Sequence, residues 1–182
     1  MELGLTIPLR RHLKMNGLPH GETPDRGACW DLHVITLRGR KSLLAVHCRS
    51  RYAFVLFGLS GAEWEALPAT VLEGLRRSLD AAGVGPETAG EYLRRAGDIR
   101  LTRTHGRREV AFLNRAWEDV TALDHALDPA RREQPLLDRE VNAKPSRCAG
   151  YDGTGPARQR LARSLREGGA YADHHIPREK NA

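Results

Sequence analysis

Aromatic side chains are scarce in this sequence: three Trp, four Tyr and three Phe among 182 residues. Recognition of single-stranded nucleic acid by stacked bases needs exposed rings, so it has little to work with here. Lysine is scarcer still, at four residues against 25 Arg. The three cysteines, Cys29, Cys48 and Cys148, contain no Cys-x-x-Cys pair. An odd, unpaired set argues against a disulfide scaffold and for a reducing cytoplasm. No apolar run approaches the roughly 20 residues of a membrane span, so no membrane partner is expected. Arg10, Arg11 and Lys14 come too early for a signal-peptide core. Between Leu32 and Ala62 there is no acidic residue at all.

What is present reads as one globular domain. Hydrophobic residues make up 40% of the chain, charged residues 29%, and the net charge is +6. Thr6-Ile7-Pro8-Leu9 opens a short helix, with proline in the first turn and Gly17 as its stop. Three strands follow: Asp31 to Leu37, Ser42 to Cys48 and Tyr52 to Phe57. Arg38-Gly39-Arg40-Lys41 turns the first into the second. The second and third are apolar on both alternating faces, which places the meander in the middle of the domain, covered on both sides.

Helices come next. Ser60 and Glu63 have capping-box spacing, and Pro68 divides the following apolar series into a turn and a longer helix. Pro86 to Ala96 is a second helix closed by Gly97, and Asp98 to Thr104 a fourth strand. Arg107 to Leu127 carries Val110, Leu113, Trp117, Val120, Leu123 and Leu127 as one stripe. Leu136 to Val141 reads as a helical turn, Lys144 to Gly155 as loop and Pro156 to Glu167 as a short helix. The expected class is α+β: a small antiparallel meander with flanking helices in a single domain over residues 1–145. Residues 146–167 form a loop and short helix, and residues 168–182 a disordered tail.

An amino-terminal Leu-Lys helix, a Trp strand, the hairpin Arg38-Gly39-Arg40-Lys41-Ser42-Leu43-Leu44, and a strand ending Thr102-Arg103-Thr104 before a helix with an early Asn form a pattern. It resembles a family of small prokaryotic domains of unknown function over residues 1–145. The resemblance implies a cytoplasmic single-domain protein and supplies no catalytic residues.

The most informative local feature is Thr104-His105-Gly106-Arg107-Arg108 at the start of the long helix. Helix amino-termini favour anions, and two arginines there cost on the order of 0.3–1 kcal/mol each unless something negative compensates. A bound phosphate or carboxylate would do so: Thr104 as cap, Gly106 for close backbone approach, Arg107 and Arg108 as clamp. An internal ion pair to a neighbouring Asp or Glu would do so equally. Neither a Walker loop nor a dinucleotide fingerprint is present. Further basic surface comes from Arg38, Arg40, Lys41, Arg49, Arg51 and Arg103. A strand of about seven residues spans roughly 20 Å, so the meander's cations form two separate tips.

His33, His47, Cys29 and Cys48 raise the question of a metal. A three-residue hairpin loop would set His33 opposite His47, and a two-residue loop would not. His47 and Cys48 are adjacent on a strand, point to opposite faces and cannot share an ion. No metal and no cofactor are expected. No hydrolase or amidase elbow is present, and His105 beside the arginines is the single acid–base candidate. Three classes stay open: a binding module meeting an anion such as nucleic acid phosphate, a protein-partner or regulatory module as in a toxin–antitoxin pair, and an enzyme acting on a phosphorylated or acidic small molecule. The first is favoured over the enzyme. The arginine excess itself carries little weight, because a GC-rich coding sequence produces the same bias.

Overall fold

Thr6 accepts the Leu9 N–H with its hydroxyl and so divides the amino-terminal segment into a strand, β1 (Glu2–Leu5), and a helix, α1 (Ile7–His12). The computed structural model describes residues 1–167. The expected tail and its Asp173-His174-His175 lie outside the described residues. α1 ends a turn before Gly17: Leu13 closes it and Lys14, not a glycine, takes the left-handed conformation at φ 54°.

β2 (Cys29–Leu37), β3 (Arg40–His47) and β4 (Ala53–Leu56) form the antiparallel meander. Its first turn holds two residues, Arg38 and Gly39, both at positive φ, the geometry that matches the twist of a tight hairpin. The register therefore sets Trp30 opposite His47 and His33 opposite Leu44. Two further strands make the sheet mixed. β1 lies parallel to β2 on one side and to β5 (Arg100–Arg103) on the other, giving the order β4-β3-β2-β1-β5.

Helices cover both faces, which is why β3 and β4 are apolar throughout. On one face α1, α2 (Gly61–Glu65), α3 (Leu67–Ala81), α4 (Pro86–Ala96) and α7 (Ala157–Glu167) pack Leu9, Trp64, Leu75, Tyr92 and Leu161 against Leu3, Leu5, Trp30 and Phe54. On the other, α5 (Arg107–Ala122) and α6 (Pro135–Ala143) pack Phe112, Leu113, Val120 and Leu137 against Ile35, Leu44 and Val55. The buried stripe of α5 runs through Glu109, Phe112, Leu113, Ala116 and Val120, so Trp117 falls outside it and is 44% exposed, its ring against His33. A small hairpin, β6 (Pro145–Arg147) with β7 (Thr154–Pro156), replaces the expected loop.

The outer edge of β4 is closed by side chains of α6. Asn142 accepts the Ala53 N–H and donates to the Ala53 carbonyl, and Asp138 accepts the Val55 N–H at 3.0 Å. Two residues four apart on a helix thus stand in for a neighbouring strand, and the edge is withdrawn from pairing with other chains. Among the described residues no helix is long and apolar enough to cross a membrane.

Candidate functional site

The start of α5 is built differently from the expectation. Its cap is Gly106, at φ 147°, and Thr104 makes no capping bond. The anion at this helix start is the chain's own: the Glu109 carboxylate, 4% exposed, accepts from Arg108 at 2.8 Å and lies 3.8 Å from Arg26. Arg107 is exposed. The other basic residues also have internal partners. Arg38 pairs with Asp124, Arg49 with Asp25, Lys41 donates to Thr36, Arg40 lies over Phe57, and Arg103 meets His20. Arg38, Arg40 and Lys41 sit at the β2–β3 tip, while Arg49 and Arg51 lie in the turn at the opposite end of β3.

His105 turns inward, and its side chain has no exposed surface. The ring donates from Nδ1 to Asp31 Oδ1 at 2.6 Å and from Nε2 to Glu2 Oε2 at 3.2 Å. Its backbone N–H donates to Asp31 Oδ2 at 3.2 Å, and its carbonyl accepts from Arg26. Asp31 and Glu2 reach it because the same face of β1 has only Gly4 between Glu2 and the loop. A Cβ on Gly4 would stand 2.0 Å from Asp31 Oδ1 and 2.9 Å from His105 Nδ1. Gly21, in the segment between α1 and β2, closes over the ring from the other side, where a Cβ would stand 2.5 Å from its Cδ2.

Two thiols join the cluster. Cys48 Sγ is 3.6 Å from His105 Nδ1. The donor atoms of Asp31, Cys48 and His105 all lie within 4.8 Å of one another, and so do those of Glu2, Cys29 and His105. Burial alone would keep the imidazole neutral, but its bonds to Asp31 and Cys29 and the charge on Asp31 reverse this and raise it to about 10. Burial likewise raises Asp31, with His105 opposing, so the pair holds its proton well above neutrality. Glu2 would also be raised by burial, yet the bonds from Thr23 and His105 bring it below the usual carboxylate range. The Cys48 thiol is pushed up by burial and by the nearby charge of Asp31. At neutral pH the centre is an imidazolium between two carboxylates, with the Cys48 thiol and the Cys29 sulfur beside it.

His47 stays apart from this cluster, as strand parity requires. It faces the opposite core, bonded to Ser50 Oγ at 2.7 Å and to the Gly27 carbonyl at 3.0 Å, and burial lowers it to about 4. It is a neutral core histidine. Glu2, Cys29, Asp31 and Cys48 as partners of His105 are what sequence reasoning missed. One signal was available: Asp31 is the sole carboxylate in the run Cys29–Leu37.

A second candidate is open to solvent. A cleft of about 300 Å³ lies along α5, α6 and β6, lined by Arg51, Phe112, Arg115, Asp119, Lys144 and Ser146 among others. Lys144 and Arg115 both approach Asp119, at 2.9 and 4.0 Å, so the cations outnumber the one carboxylate of the lining. The Arg51 guanidinium lies 4.9 Å from the Phe112 ring centre and donates to the Arg147 carbonyl. The hairpin that carries Ser146 is tied down by Arg160, which donates to the Ser50, Ser146 and Gly155 carbonyls and to Ser146 Oγ.

The fold and both sites thus define a small single-domain α+β protein with a mixed five-stranded sheet between two helical layers. The chain belongs to the family described as a domain of unknown function, DUF6933, whose model matches residues 2–159. No curated protein matches it.

Proposed function

We propose that the chain is an anion-binding module whose basic surface meets the phosphate groups of nucleic acid. The cleft between α5, α6 and β6 carries this reading: Arg51, Arg115 and Lys144 line it against one lining carboxylate, Asp119, with Arg115 also paired to Glu118 outside the lining. Arg108, one turn before Phe112 on α5, is already paired with Glu109, so the cleft's own cations carry the reading. About 300 Å³ is at the lower limit for small-molecule sites and suits contact with a backbone phosphate. Scarce exposed aromatics point the same way, toward backbone contact and away from base stacking. The enzyme reading loses its acid–base group, because His105 has no exposed side-chain surface from which to reach a ligand. Three free thiols fit a reducing cytoplasm as the compartment.

The test is binding to fluorescent single- and double-stranded oligonucleotides across a salt series. Affinity falls steeply with salt, and the Arg51→Gln/Lys144→Gln double variant lowers the log–log salt slope by about two. An Arg107→Gln/Arg108→Gln variant that alone abolishes binding would move the contact to the start of α5. Absent or salt-insensitive binding of the unaltered protein overturns the reading.

A further inference from the structure

The buried cluster around His105 has no role in the cleft, yet it gathers nitrogen, sulfur and carboxylate donors in one place. We propose that it is a metal site: Asp31 Oδ1, Cys48 Sγ and His105 Nδ1 hold one thiophilic divalent cation, of which zinc is the type, with a fourth position open.

Three observations support this assignment. First, the spacing is close to what an ion needs. Metal–ligand bonds of about 2.0–2.3 Å place tetrahedral donors roughly 3.3–3.7 Å apart. Cys48 Sγ and His105 Nδ1 are already 3.6 Å apart, while Asp31 Oδ1 at 2.6 Å from Nδ1 has to back away by somewhat under an ångström. Second, the ligands are oriented from behind. Metal-bound histidines donate their other ring N–H to a carboxylate or carbonyl, which fixes the tautomer. Glu2 Oε2 does this for Nε2, and Glu2 is itself anchored by the Thr23 N–H at 3.2 Å. Asp31 is held in the same way, since Oδ2 accepts the His105 backbone N–H and leaves Oδ1 for the ion.

Third, the donor set matches such an ion: a carboxylate and a thiolate together balance the charge of a dication, and the imidazole adds a neutral nitrogen. Soft sulfur with imidazole selects zinc-like ions over magnesium or calcium. The cover that must lift to admit the ion is the segment carrying Gly21, which lies between α1 and β2 and contains no α-helix or strand.

Chelator-stripped protein titrated with Co²⁺ alone, then with Zn²⁺, tests the site. One ion binds per chain, a thiolate-to-cobalt charge-transfer band appears, and zinc abolishes it. Into weakly buffered solution zinc releases protons, as conversion of a thiol to a bound thiolate requires. Cys48→Ser removes the band and lowers affinity at least a hundredfold, while Cys148→Ser changes neither. Glu2→Gln keeps the cobalt spectrum and weakens binding ten- to a hundredfold, as a positioning residue does. Zinc also raises the melting temperature of the unaltered protein, a readout that needs no variant to fold. No cobalt band in the unaltered protein overturns the site. A band lost in Cys29→Ser but kept in Cys48→Ser places the ion on the Glu2 side of the ring and overturns the assignment.

Discussion

Asp31 and His105, 74 positions apart, are joined through both carboxylate oxygens: one takes the ring Nδ1–H and the other the backbone N–H. The pair connects the centre of the sheet to the loop that starts α5. The start of α5 is therefore placed relative to β2 by a charged contact that solvent hardly reaches.

Such a pair should couple strongly. In a double-mutant cycle of Asp31→Asn and His105→Gln, measured by urea unfolding with chelator present, the expected coupling is at least about 1 kcal/mol. The same cycle on Arg115 and Glu118, both more than half exposed, should give no more than about 0.5 kcal/mol. Equal couplings would mean that the buried contact contributes nothing beyond a surface ion pair.

Glycine in a strand is normally a liability, and alanine improves it. Gly4 should behave in the opposite sense, because the added Cβ would occupy the place of Asp31 Oδ1. Gly4→Ala is expected to cost about 3 kcal/mol or more, the overpacking and the broken pair combined. Gly90→Ala, on α4 with nothing within 4 Å, should gain roughly 0.5–1 kcal/mol. Thermal or urea melts of the two variants, run together, decide the matter by sign.

The edge of β4 offers a test in pH. Burial holds the Asp138 carboxyl well above the usual range despite the bond from the Val55 N–H. In the unfolded chain this carboxyl ionises near pH 4, so native stability is lost as pH rises from there toward the folded value. Asp138→Asn keeps an oxygen for the Val55 N–H and removes the titration. Its melting temperature should exceed that of the unaltered protein by a few degrees at pH 7, with the gain vanishing at pH 4 and below. A variant less stable at pH 7 would show that the charged form is the one the fold wants.

The meander, its neighbouring helices and the two-sided burial of β3 and β4 could be read from periodicity because each signal lies within a few residues. β1 could not. Glu2-Leu3-Gly4-Leu5 is four residues long with a glycine inside, and only its two parallel neighbours make it a strand. The His105 cluster was hidden for the same reason: Glu2 belongs to that unread strand, and Asp31 meets His105 only through the β1–β5 pairing. Parity did separate His47 from Cys48: His47 bonds to Ser50 and Gly27, while Cys48 Sγ lies beside His105. On α5, size misled. Trp117 looks like core, but the small Ala116 and the charged Glu109 are what the sheet accepts. The β6–β7 hairpin was obscured by Pro145 and Gly155, residues that ordinarily signal loop.

The place of β1 also has a consequence in time. It is synthesised before every other described element, yet one of its neighbours is β5, with Glu2 opposite Arg100. On the ribosome the meander can assemble locally while Leu3 and Leu5 still wait for that second neighbour. Joining segments about a hundred residues apart spends loop-closure entropy before any contact repays it. Pairing the first strand with β5 therefore carries the longest loop closure in the sheet, and the His105 cluster, which draws on Glu2, Asp31 and the loop after β5, is complete only once that pairing is made.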